Sequence, residues 1–255
     1  MDLKSARPAA KRAAGFSHSD TDGNQIHNEI LLSLPAVERD LVLPKLELVR
    51  LKLHHMLHEV GDTIKSAYFC NTGMISILTV FPDGKSIEAG LVGKEGFVGL
   101  PLVAGFKSAS SRAMVQVECT ALRIEAETLV GFLRHCPGLE RRLQQVSQIT
   151  GMESTQLSAC NRLHGVEQRL ARWLLMCSDR LSSPSLPLTQ ELLAQMLGAR
   201  RASVTIAAGI LQKAGFIAHS RGIITIADRQ RLEEVSCECY EMMKRQKERW
   251  ERDAS

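Results

Sequence analysis

Residues 189–215 run TQELLAQMLGARRASVTIAAGILQKAG, two short apolar stripes parted by one glycine. Thr189 is a helix-capping residue type, because its hydroxyl accepts from backbone N–H groups that a first turn leaves unpaired. Leu192, Leu193, Met196 and Leu197 fall on one helical face, and Ala194 is small where a second helix must cross closely. Gly198 permits the positive φ of a turn that redirects the chain. Val204, Ala207, Ala208 and Leu211 then recur at i, i+3, i+4 and i+7, the buried stripe of a second helix. The spacing predicts a helix-turn-helix.

Arg200 and Arg201 stand at the start of that second helix. Cations there oppose the helix dipole, so helix stability gives no reason for them. A nucleic acid does: arginine donates two parallel hydrogen bonds to the O6 and N7 acceptors of guanine, or binds phosphate. Arg201, Ala202, Thr205 and Ile206 lie opposite the buried stripe and are predicted to face a groove. Ser203 and Thr205 are short donors, while Ala202 and Ile206 suit a thymine methyl. After Gly215, the runs 216–217 and 223–226 read as strands joined by a turn over 219–222. That is a hairpin wing, with Arg221 at its tip as a phosphate contact. The predicted DNA-binding set is therefore Thr189, Gln190, Arg200, Arg201, Ala202, Ser203, Thr205, Ile206 and Arg221. Between residues 186 and 227 four cations (Arg200, Arg201, Lys213, Arg221) face one anion, Glu191.

Upstream, residues 137–163 carry apolar side chains at three- to five-residue steps: Leu139, Leu143, Val146, Ile149, Met152, Leu157, Cys160 and Leu163. A helix of this length spans about 40 Å, more than one small domain covers, so a partner helix across a two-fold axis is the natural cover. His164-Gly165 reads as a hinge before a further helix over 166–181. Residues 60–125 instead show short β-rich runs separated by turns, Pro82-Asp83-Gly84 among them, which predicts an antiparallel roll or barrel. The fold class is α+β. A basic tail covers 1–25, a β-roll sensor domain 26–136, a dimerisation helix 137–164, a winged helix-turn-helix domain 165–232 and a helical tail 233–255. In that tail Met242, Met243 and Trp250 offer a docking face, with a charge-mixed solvated helix as the simpler reading.

The 255 residues are 44% hydrophobic and 24% charged with a net charge of +4, ordinary for a globular protein and compatible with a nucleic-acid partner. No run suits a membrane span or a secretory signal, so a cytoplasmic protein is expected. The seven cysteines are scattered, without a Cys-x-x-Cys pair, and Cys237 and Cys239 stand two apart, which is no metal clip by itself. Reduced thiols are expected, and no metal. His54, His55 and His58 lack the glutamate of a His-Glu-x-x-His site, and no nucleophile elbow, phosphate loop or dinucleotide fingerprint occurs, so the chain reads as a non-enzyme.

The roll with its glycines, the long helix and above all residues 189–226 resemble the family of the cyclic-AMP receptor protein and the FNR regulators. The resemblance covers about residues 30–228. It implies a cyclic-nucleotide-binding-like roll, a dimer helix, and a homodimer on a two-fold symmetric operator, with RNA polymerase as a further partner. In the family, an arginine–glutamate pair and an arginine four residues on read bases. Here Arg201 matches the first arginine, while Ala202 and Ile206 replace the other two, so a different operator is expected. The family's nucleotide cassette matches Gly99-Leu100 and Arg112-Ala113. Arg112 can hold a phosphate, but Leu100 replaces the glutamate that holds the ribose, and a buried sugar hydroxyl left unpaired costs about 1–3 kcal/mol. A cyclic nucleotide is therefore not expected. The amino-terminal cysteines of an iron–sulfur sensor are absent, since Cys70 is the first cysteine. A signal at the roll, or at Cys70 or Cys119, is expected to move the long helix and the hinge at His164. The alternative is a ligand-binding module whose tail docks a protein partner without reading DNA.

Overall fold

The computed structural model describes residues 25–253. Apart from Gln25, the basic tail expected over 1–25 lies outside the described residues. The chain opens with α1 (Glu29–Leu32), α2 (Ala36–Val42) and a 3-10 turn, followed by β1 (Glu47–Leu51), β2 (Met56–His58), β3 (Ser66–Cys70), β4 (Met74–Val80), β5 (Ser86–Val92) and β6 (Phe97–Val98). Then come α3 (Leu100–Val103), β7 (Arg112–Val117), β8 (Cys119–Glu125), α4 (Ala126–Leu133), α5 (Pro137–Leu163) and α6 (Val166–Leu181). The C-terminal part holds β9 (Ser185–Leu186), α7 (Gln190–Leu197), α8 (Arg201–Lys213), β10 (Ile217–Ser220), β11 (Ile223–Ile226), α9 (Arg229–Val235) and α10 (Cys239–Asp253).

Two antiparallel four-stranded sheets form the roll, in the orders β1-β8-β3-β6 and β2-β7-β4-β5. Their register sets Phe69 opposite Leu122 and Ile75 opposite Val115. Leu51, Ile75, Val92, Val98, Ala113, Val115 and Ala121 pack together as one core, the inward half of the strand alternation. A second core joins α1, α4 and the first turns of α5 to the other side of the roll through Ile30, Leu31, Phe69, Phe97, Leu129, Leu139 and Leu143. The start of α5 is held by Glu38, whose two carboxylate oxygens accept from the N–H groups of Gly138 and Leu139, each at 2.9 Å. A carboxylate there satisfies orphan donors and complements the helix dipole.

The buried stripe of α5 is Leu139, Leu143, Val146, Leu157 and Cys160. The roll and α1 cover it at one end and α6 and α10 at the other, while Ile149 and Met152 of the predicted stripe are only half-buried. Leu163, assigned to the stripe, is 76% exposed. The tail is corrected likewise. Far from a solvated helix, α10 buries Cys239, Tyr240 and Met243 against α5 and α6, while Met242 points outward. Tyr240 donates to Asp179 at 2.8 Å and accepts from Arg229 at 2.7 Å, polar bonds that no apolar period announces.

α6 is buried along its middle and carries the third and largest core. That core is continuous from the roll (Met74, Leu78, Leu91, Met114) to the C-terminal domain (Leu193, Met196, Val204, Leu211). Polar bonds cross the same boundary. Trp173 on α6 donates Nε1–H to Glu88 on β5 at 2.6 Å, and Gln195 on α7 donates to Ser86 at 2.6 Å. Arg180 bridges Glu95 after β5 and Glu153 on α5, at 2.9 and 3.0 Å.

Glu88 lies fully inside this boundary. Burial pushes its carboxyl from 4.5 up to about 7, against the opposing pull of the Trp173 and Ser76 hydrogen bonds. The folded chain therefore holds this proton over a range where the unfolded chain has released it. The associated stability is present below the unfolded value and is lost as pH rises through about 7. The difference is on the order of 3 kcal/mol. Glu88→Gln is expected to flatten the fall in melting temperature between about pH 5 and pH 8. Calorimetric scans of both proteins across that range check it, and parallel curves would refute it.

Candidate nucleic-acid interface

Thr189 caps α7 as its residue type predicts, its Oγ1 accepting from the Leu192 N–H at 3.2 Å. The side chain of Gln190, the first residue of α7, lies outside the described residues. Gly198 sits at φ 56°, ψ 38° and ends the helix, with its N–H on the Gln195 carbonyl at 3.1 Å and the Ala199 N–H on that of Ala194 at 3.1 Å. A Cβ at Gly198 would stand 3.0 Å from the Ile87 side chain of β5, so glycine answers both the left-handed backbone and the closeness of the roll.

α8 begins with Arg200 at its N-cap and Arg201 in its first turn, and no acidic residue balances them there. Both are exposed, and neither forms an ion pair among the described residues. Their charges therefore add to the positive end of the helix dipole, a combination that favours an anion in front of it. Val204, Ala207, Ala208 and Leu211 are buried as predicted. Arg201, Ala202, Thr205 and Ile206 are exposed, Ile206 at 64%. Ser203 is half-buried at the margin of this face. Ile210, which the sequence reading left out, extends the exposed apolar strip by one turn at 46%. Its signal was available in its four-residue spacing from Ile206.

The wing is the β10–β11 hairpin, with β9 paired on the far side of β11. Ser220 pairs with Ile223, which leaves Arg221 and Gly222 as the two turn residues, at φ 50° and 79°. Positive φ at both positions is the mirror-image turn that matches strand twist. Arg221 is exposed at its tip. The three arginines of the predicted set thus lie exposed on the head of α8 and the tip of the wing.

The four residues matched to a nucleotide cassette fare differently. Gly99 caps α3 at φ 129°, and Leu100 packs with the α1–α5 core. Ala113 is buried in the core between the sheets, where it faces Ile77 across the β4–β7 ladder. Arg112, read as a phosphate ligand, is already engaged: Glu59 lies 2.8 Å from its Nε. Leu100 and Ala113 thus serve two separate cores, and the cation beside them is balanced by a carboxylate.

A family model described as the cyclic nucleotide-binding domain matches residues 48–136, and one described as the Crp-like helix-turn-helix domain matches residues 168–235. Together they take in more than half of the chain. A sequence search of curated proteins found no match. Among solved structures, FixK2 from Bradyrhizobium japonicum superimposes with a TM-score of 0.66 at 15% identity, covering 75% of this chain and 98% of that one. The c-di-GMP-responsive global regulator CLP of Xanthomonas campestris gives 0.64 at 17%, covering 75% and 99%. A CRP-family transcriptional regulator of Thermus thermophilus gives 0.63 at 18%, covering 74% and 96%. No helix among the described residues is long and apolar enough to cross a membrane. A cyclic nucleotide-binding-like roll, a long connecting helix and a winged helix-turn-helix headed by exposed arginines place this chain in the Crp/Fnr family of DNA-binding transcription regulators.

Proposed function

We propose that the chain acts as a homodimer on a two-fold symmetric DNA site in the cytoplasm, regulating transcription by binding rather than by catalysis. The observation that carries this reading is the division of α8: one side is buried on α6 and α7, and the other is exposed and headed by Arg200 and Arg201. The outer face of α5, including Gln144, Gln148, Gly151, Thr155, Ser158 and Arg162, is exposed along its length and gives the second copy a place to pack. Two recognition helices then meet successive major grooves about 34 Å apart. RNA polymerase is the further partner that a DNA-bound regulator of this kind would contact.

The sensor reading follows from the cassette positions. With Leu100 in the glutamate position and Arg112 neutralised by Glu59, the roll lacks a free set for ribose and cyclic phosphate. The signal is then something other than cyclic AMP. Selection of random duplexes with the purified protein tests both points. The expected outcome is a palindromic site chosen equally with and without cyclic nucleotides, by a dimer in sedimentation. Monomeric binding to an asymmetric site would overturn the first point, and nucleotide-dependent selection the second.

A further inference from the structure

Four ligand-type side chains that are distant in sequence converge at the hinge below the DNA-binding domain. Cys160 and His164 come from the last turn of α5 and its cap, Cys237 from the segment joining α9 to α10, and Cys239 from the start of α10. Their three sulfurs and one ring nitrogen all lie within 4.8 Å of one another. Cys160 Sγ is 3.4 Å from Cys237 Sγ, and Cys239 Sγ is 3.6 Å from His164 Nδ1. Four tetrahedral ligands at about 2.0–2.3 Å from a zinc ion stand roughly 3.5–3.8 Å apart. The arrangement therefore has the size of one ion's coordination shell, too small for thiolates that surround a cluster of several irons.

The surroundings fit the same occupant. His164 turns Nδ1 toward the sulfurs and places Nε2 3.2 Å from Glu238 Oε1. A ligating imidazole is commonly held so, with its second nitrogen donating to a carboxylate that fixes the tautomer. Gln156 donates Nε2–H to Cys239 Sγ at 3.1 Å, a bond suited to thiolate sulfur. Three thiolates, a neutral imidazole and a divalent ion sum to one negative charge. Arg172, 2% exposed and acting electrostatically on both Cys160 and Cys237, supplies the balancing positive charge. Its Nε has no hydrogen-bond partner among the described residues.

We propose that Cys160, His164, Cys237 and Cys239 form a tetrahedral site for a single soft divalent metal ion of the zinc class. Three sulfurs and one nitrogen close the coordination shell and leave no open position for substrate, so the role is structural. The ion would tie the carboxyl-terminal helix to the end of α5 across the break at His164-Gly165, fixing how the winged domain hangs from the long helix. That consequence for DNA binding rests on the function proposed above, whereas the site itself is tested without DNA.

The test titrates cobalt(II) into the full chain, purified metal-free under reducing conditions. The expected result is one equivalent bound, with the intense visible bands of tetrahedral cobalt and a near-ultraviolet thiolate-to-cobalt band, all bleached by zinc. Cys237→Ser and His164→Ala are expected to lose at least about 10-fold in affinity, and Cys136→Ser, at a buried cysteine elsewhere, to lose none. Glu238→Gln, at a largely exposed position, is expected to keep the bands and weaken binding by roughly 10-fold. Circular dichroism verifies that each variant folds. Failure of the folded, reduced protein to take up cobalt overturns the proposal, as do tetrahedral bands indifferent to Cys237→Ser. So does a resting Cys160–Cys237 disulfide whose reduced form binds no metal.

Discussion

Arg201→Ala is expected to weaken binding to the selected duplex by roughly 1–3 kcal/mol, about 5- to 150-fold, and to relax the preference at one base position in each half-site. The reason lies in what surrounds the side chain. Arg201 stands in the first turn of α8, exposed, without an acidic neighbour in that turn and opposite a stripe buried against α6 and α7. Its removal leaves no cavity and breaks no ion pair among the described residues, so the fold loses little and the deficit falls on the complex. Arg221→Ala serves as the comparison. A wing-tip arginine that meets phosphate carries no base information, so its loss weakens all duplexes alike and lowers the salt slope by about one for each copy. Competition binding against single-base variants, repeated at several salt concentrations, separates the two signatures. If Arg201→Ala leaves both affinity and preference unchanged, α8 does not read bases, and the protein-docking alternative regains its ground.

The difference between what could be read from the sequence and what could not is one of distance along the chain. The α8 stripe, the Gly198 turn and the Thr189 cap are local, since each follows from residues within one or two turns of each other. The wing was legible for the same reason, Arg221-Gly222 being a short turn between β-rich runs. The strands of the roll could be placed, whereas their order in two sheets could not, because pairing such as β3 with β8 joins segments that no local period connects. Arg112 looked free because its partner, Glu59, lies 53 positions away. Cys160 and Cys237, 77 positions apart, offered no clip spacing for the same reason. The error over α10 has another cause. A helix rich in charge reads as solvated, yet three side chains on one edge, Cys239, Tyr240 and Met243, are enough to seat it on α5 and α6.

Trp173→Ala is expected to cost about 3–5 kcal/mol of folding stability, more than any other single change considered, and to cost more at high pH than at low. The first part follows from size: Trp173 is among the largest fully buried side chains and lies where the core of the roll meets that of the winged domain. The second part follows from its indole N–H, which donates to Glu88 at 2.6 Å. That bond favours the ionised carboxyl and opposes the burial that pushes Glu88 up to about 7. Without the donor the carboxyl rises further. Below the carboxyl's range the variant loses only packing, whereas above it a buried carboxylate must also persist without the Trp173 donor, keeping the Ser76 hydroxyl. Trp173→Phe separates the terms, since it keeps most of the ring volume and removes only the donor. Urea unfolding near pH 5 and again near pH 8 is expected to show a modest loss for Trp173→Phe at the lower pH and a larger one at the higher. Equal losses at both would mean that Glu88 does not titrate in this range.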